Sequence, residues 1–202
     1  MSISHGAAAS AAAPPSPEAP RVAVRDLVKH YGAVRAVDGV DFHCLPGEVH
    51  ALVGENGAGK STVAKMLAGA VSPSSGTIRV GDDEIGSGSI RAARQAGVTC
   101  AFQELALVPE WSVAENLWLP DGAPLRGFSQ TKAAKAARAL LDRLELEHID
   151  PSAQVAGLSL ADRQMVEIAR AIAAGPRVLI LDEASSALAP PGVEWLFRRI
   201  RE

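Results

Sequence analysis

Gly54-Glu55-Asn56-Gly57-Ala58-Gly59-Lys60-Ser61-Thr62 is the stretch on which the rest of the chain is read. It fits the pattern G-x-x-x-x-G-K-[ST], with Gly54, Gly59, Lys60 and Ser61 at the fixed positions. Glycines let a backbone curl until consecutive N–H groups point at a chain of phosphates. Lys60 then reaches the β- and γ-phosphates of a nucleotide, and the Ser61 hydroxyl is placed to ligate Mg²⁺. A helix starting at that point sets its positive dipole end beneath the same phosphates.

A glycine-rich surface turn can match this pattern by accident, so its flanks matter. Before it, Val49-His50-Ala51-Leu52-Val53 reads as a short buried strand. After it, Val63, Met66, Leu67 and Ala70 fall at i, i+3, i+4 and i+7, the spacing of one helix face. Strand, glycine loop and helix follow in the required order, and nucleotide binding is the reading carried forward.

The chain has 202 residues, a length that suits one domain with a small subdomain, and 48% hydrophobic residues supply a sizeable core. A net charge of -3 gives no electrostatic reason to expect nucleic acid as a partner. No apolar run approaches the roughly 18 residues of a membrane span, so the expectation is a soluble chain whose membrane role comes through a partner. Cys44 and Cys100 lie in apolar, strand-like stretches without metal-ligand spacing and read as buried reduced thiols of a cytoplasmic protein. His5, His30, His43, His50 and His148 form no metal pair by spacing, and no histidine follows His148.

Residues 1–20 are rich in Ala, Ser and Pro and cannot bury enough to order themselves, which predicts a disordered tail. A secretory signal is the rival reading, but no Lys or Arg precedes the mildly apolar Ala7–Ala13. Val22, Val24, Val40, Phe42 and Cys44 occupy alternating positions of predicted strands. Tyr31 either stacks on a purine ring or packs within that sheet. Thr77–Val80 is a further short strand, and Val98–Phe102 another. The latter ends at Gln103, which is a candidate for sensing the metal or the attacking water, or is a plain strand-end amide.

Between Gln103 and Ser159 the pattern becomes helical, giving an insert over about residues 104–157 of a domain spanning 21–202. A helix from Ser129 to Leu146 puts Ala133, Ala137, Leu140, Leu141 and Leu144 on one face and Lys132, Lys135 and Arg138 on the solvated side. Trp111 and Trp118 sit in an apolar stretch that looks more exposed than a core helix. Ser159 and Asp162 make a capping box opening a helix whose stripe is Met165, Ile168, Ala169 and Ile172, and Gly175-Pro176 stops it. Val178–Leu181 then reads as a strand buried on both faces, ending in Asp182-Glu183. Beside a phosphate loop, Asp182 suits the Mg²⁺ shell, and Glu183 can orient and activate a water.

The phosphate loop, Gln103, Leu158-Ser159 and Val178–Glu183, in this order and spacing, resemble the ATPase subunit of ABC transporters from about Val22 onward. Gln103-Glu104-Leu105, Ser112-Val113-Ala114-Glu115-Asn116 and Gln164–Ala171 look like the carbohydrate-importer branch that handles ribose, xylose or galactose-type sugars. The resemblance implies an α/β fold: a P-loop NTPase parallel sheet, an antiparallel β subdomain and a helical insert. It implies ATP and Mg²⁺ as cofactors. It places Tyr31 on adenine, Gly54 through Thr62 on the phosphates, Ser61, Gln103 and Asp182 at the metal, and Gln103 and Glu183 at the attacking water. Ser159 falls in the family signature, which meets the γ-phosphate held by an opposing module. The implied partners are membrane-spanning permease subunits docked on the insert, a second ATPase module and, indirectly, a substrate-binding protein. The implied place is the cytoplasmic face of the membrane.

Four features depart from the family pattern. The signature reads Leu158-Ser159-Leu160-Ala161-Asp162 where two glycines and a glutamine are general, Ala184-Ser185 stands for Pro-Thr, and Ala189 for an acidic or hydroxyl residue. The fourth is the histidine expected on a strand beyond the Glu, together with the closing strands of the sheet, which predicts a truncated module. A module that binds ATP without efficient hydrolysis, and a non-transport ABC protein, stand as alternatives.

Overall fold

The computed structural model describes residues 20–85, 88–102, 105–118 and 129–202; the tail through residue 19 and the Gln103-Glu104 pair lie outside them. Two long strands come first, β1 (Val22–Tyr31) and β2 (Val34–Cys44), followed by α1 (Lys60–Leu67), β3 (Ser75–Val80) and β4 (Asp83–Glu84). Next are α2 (Ile90–Gln95), β5 (Val98–Ala101), α3 (Val113–Trp118) and α4 (Gln130–Arg143). The chain closes with α5 (Leu160–Ala173), β6 (Val178–Leu181) and α6 (Pro190–Arg201).

The first four strands form an antiparallel sheet in the order β2-β1-β3-β4. Val22 faces Cys44 on one side and Val80 on the other, and Val24 faces Phe42 and Ile78. This register puts the alternating valines on one buried face, where they meet Val63, Met66 and Leu67 of α1. α1 is shorter than its sequence pattern predicts. Gly69, at φ +70°, closes the helix, with its N–H donating to Met66 and that of Ala70 to Lys65. Ala70 is therefore past the helix and exposed, and Ala64 completes the buried stripe instead.

β5 and β6 pair in parallel, from Val98 opposite Val178 to Ala101 opposite Leu181. β6 divides two apolar cores. Val178 and Ile180 pack against the core of the antiparallel sheet, and Leu179 and Leu181 against the core formed by the helices. Its residues are half-buried, not fully buried as the aliphatic run suggests, because β5 is its one paired neighbour among the described residues.

Val49–Val53 departs further from expectation: the segment is not a strand, and Val53 is 91% exposed. An apolar run becomes a strand only where a neighbour accepts and donates its backbone bonds, and no described strand lies against residues 49–53 to do so.

In the helical part, α4 buries Ala133, Ala137, Leu140 and Leu141 as its spacing predicts, with Ser129 capping it through a bond from the Lys132 N–H. It stops at Arg143, short of Leu146, as Glu145 turns to φ +59°. Arg138 is half-buried rather than simply solvated. It donates to Asp142 and to the carbonyls of Leu146, Glu147 and Ile149, tying the turn after α4 to the helix. On α5, Val166, Ile168, Ala169 and Ala171 are buried, while Met165 and Ile172 pack at the margin of the core.

Leu141 is fully buried at the centre of the helical core. Leu141→Ala is expected to cost about 2–5 kcal/mol, read as a lower urea midpoint with an unchanged slope.

Candidate nucleotide site

The glycine loop is built as its sequence demands. Gly57 and Gly59 both take φ of +86°, a backbone conformation that strains any residue with a Cβ. At Gly59 a Cβ would also lie 2.3 Å from the Ala36 carbonyl oxygen, so β2 runs directly behind the loop. Ala58 N–H donates to Glu55, closing the turn that carries Asn56 and Gly57. Gly59 caps α1 without a side-chain acceptor, and no acidic residue occupies the first turn, which holds Ser61 and Thr62. A helix start left in this way is suited to an anion. Lys60 Nζ lies over the loop and donates to the carbonyls of Gly54 at 2.8 Å and Glu55 at 2.9 Å.

Ser61 and Asp182, 121 residues apart, are brought together: Ser61 Oγ donates to Asp182 Oδ1 at 2.9 Å. Asp182 is buried, and its own N–H donates to Ala101, extending the β5–β6 pairing by one residue. The serine hydroxyl and the carboxylate are hard oxygen donors side by side at the mouth of the loop, a pair that fits a divalent cation completed by phosphate and water. Among the described residues no group of three or more His, Cys, Asp or Glu forms a separate metal site.

Glu183 is exposed and adopts φ +52°, an uncommon conformation for a side chain of its size. Its carbonyl accepts from the Ser186 N–H, so a turn holds it directly after the buried aspartate. Cys100 lies on β5, opposite Ile180 of β6. Burial, with the charges of Asp182 and then Glu167 adding to it, pushes the Cys100 thiol up to about 12.

Tyr31 ends β1 and is 49% exposed, with Lys29 Nζ 5.1 Å from the ring centroid. It stands at the turn end of the hairpin, paired with Val34 of the strand that passes behind Gly59. Ser159 is placed apart. It caps α5 through a bond from Asp162 N–H, and no recorded bond joins it to residues 54–62. Gln103 lies outside the described residues. The link from Asp162 to His148, at 3.0 Å, was not readable from the sequence, because the two are 14 residues apart on different elements and share no motif.

An α/β module that receives the phosphates of a nucleotide on a glycine loop is the class that this fold and site define. The family model described as ABC transporter matches residues 37–186, and the chain belongs to that family. It is 44% identical over 187 residues to the ribose import ATP-binding protein RbsA of Rhodococcus jostii, covering 92% of this chain and 37% of that one. It is 43% identical over 179 residues to the putative ribose/galactose/methyl galactoside import ATP-binding protein of Geobacillus kaustophilus, covering 87% of this chain and 35% of the relative. The chain thus spans little more than a third of the length of these relatives. Among solved structures, a nucleotide-free ATP-binding cassette of an ABC transporter superposes with a TM-score of 0.78 at 25% identity, covering 91% of this chain and 76% of that one.

The Cys100 thiol gives a test of the geometry behind Asp182. Its value rises on folding from 9.0 to about 12, so the folded state holds this proton more tightly than the unfolded state. The stability it contributes is complete below pH 9 and is lost as pH climbs towards 12. Urea unfolding across this range is expected to show a steeper alkaline decline for the natural chain than for Cys100→Ala.

Proposed function

We propose that residues 21–202 form the ATP-binding and ATP-hydrolysing module of a carbohydrate importer. The observation that carries this reading is the 2.9 Å bond from Ser61 to Asp182, which sets a hydroxyl of the phosphate loop against a strand-end carboxylate with Glu183 next in the chain. Lys60 and the N–H groups of the loop bind the β- and γ-phosphates, Tyr31 stacks on the adenine, and Ser61 with Asp182 holds Mg²⁺. The metal, when bound, draws off charge from the phosphates. Glu183 orients the attacking water and accepts its proton, with Gln103 as a second contact to water and metal.

Ser159 has no recorded bond to residues 54–62, so in this reading it serves a nucleotide on an opposing module, and two modules complete one site. The insert supplies the surface for a membrane-spanning permease. Trp111 and Trp118 support this, being 36% and 38% exposed on the same helical region. No described helix is long and apolar enough to cross a membrane, so attachment to its cytoplasmic face comes through that partner. Relatives named for ribose or galactoside import support a sugar as cargo, which a substrate-binding protein would deliver.

Two substitutions test the reading. Lys60→Ala is expected to weaken ATP binding in calorimetry about 10-fold or more, the loss of one charge-assisted contact of roughly 1.5–3 kcal/mol. Glu183→Gln is expected to keep ATP binding and abolish phosphate release. The natural chain alone should turn over well below roughly 1 s⁻¹, since catalytic groups act as a unit and one of them comes from the opposing module. An unchanged dissociation constant for Lys60→Ala would sink the assignment.

A further inference from the structure

Asp162 bonds the Ser159 hydroxyl, and His148 bonds Asp162 in turn. Ser159 Oγ donates to Asp162 Oδ2 at 2.7 Å and accepts from the Asp162 N–H at 3.1 Å. The other carboxylate oxygen, Oδ1, lies 3.0 Å from His148 Nε2. A hydroxyl has one proton to donate, and here the Asp162 carboxylate accepts that bond.

A second capping box in the chain shows what ordinary capping looks like. Glu115 Oε2 accepts from the backbone N–H of Ser112 at 2.8 Å as well as from its hydroxyl at 2.7 Å. Asp162 is one methylene shorter, and the recorded partners of its carboxylate are the Ser159 hydroxyl and the imidazole. The backbone that carries the imidazole is held from both sides. Arg138 Nη1, from α4, donates to the carbonyls on either side of His148, Glu147 at 3.2 Å and Ile149 at 3.0 Å, and Ile149 is buried. The turn is clamped while the ring stays exposed.

We infer that Asp162 and His148 are positioning residues that set how strongly Ser159 meets the terminal phosphate carried by an opposing module. The inference rests on the ATP reading given above. Asp162 opposes that meeting twice: it engages the proton a phosphate oxygen would need, and it places a negative charge at the start of α5, where the helix dipole would otherwise favour an anion. His148 shares that carboxylate through its other oxygen and so weakens its hold on the hydroxyl. Removing the charge of Asp162 therefore tightens the meeting, removing His148 loosens it, and His148 loses its influence once Asp162 is neutral.

The test is ATP-driven self-association of the whole chain, followed by sedimentation at fixed pH and salt in a Glu183→Gln background, with ATP binding measured separately by calorimetry. Asp162→Asn, which keeps a capping oxygen, is expected to lower the ATP concentration for half-association about fivefold, the scale of one exposed charge contact. His148→Ala is expected to raise it severalfold, and the double variant to behave as Asp162→Asn alone, with ATP affinity at the loop unchanged throughout. A purely structural cap would instead make both single variants associate more weakly in parallel with lost thermal stability, and that result overturns the inference. Equal association, or none, in all four forms with ATP still bound overturns it as well. Failure of every form to bind ATP, the natural chain included, removes the functional reading itself and the inference with it.

Discussion

The bond between Ser61 and Asp182 joins parts of the molecule with separate reasons to exist. Ser61 belongs to α1, which is fixed by packing Val63, Met66 and Leu67 on the antiparallel sheet. Asp182 belongs to the end of β6, which is fixed by pairing with β5 and by aliphatic side chains facing two cores. A buried carboxylate must find a partner or be costly, and the serine hydroxyl is the one recorded for Asp182. The strand brings the carboxylate, the helix brings the hydroxyl, and the glycine loop is held between them. Its position is tight on the far side too, where Gly59 leaves no room for a Cβ against Ala36.

The role of β6 follows from its period of two. Alternate side chains enter opposite cores, so a four-residue strand links the antiparallel sheet to the helices. Asp182 and Glu183 follow at the point where this wall ends, one buried and one exposed. That change over one residue suits them to different tasks in the proposed chemistry, with the carboxylate that holds a cation kept from bulk water and the one that handles water open to it.

The glycine loop, the Ser159 cap, the buried face of α4 and the alternation of Val22 and Val24 were legible in the sequence because each depends on local spacing. The features that were not legible depend on what lies across space. Val49–Val53 has the composition of a strand, but a strand also needs a neighbour, and composition does not record one. Arg138 sits at a helical position that reads as solvated, and its reach to three carbonyls beyond α4 depends on how the following turn folds back. The pairing of His148 with Asp162 has the same origin. Met165 lies at the core margin rather than within it, with its methyl group against Gly192 of α6. The roles proposed for Tyr31 and Ser159 come from the family resemblance, and that of Glu183 from its place after Asp182; the structure adds where each residue stands.

The bare Val49-His50-Ala51-Leu52-Val53 segment has a consequence for handling the protein. It is short and apolar apart from His50, it contains no proline, and three of its large aliphatic side chains face solvent. Its backbone groups are unclaimed by any described strand. Such a segment is a template on which a second chain can lay down a cross-β ladder. That route to association runs through five residues next to the phosphate loop and does not require either core to unfold.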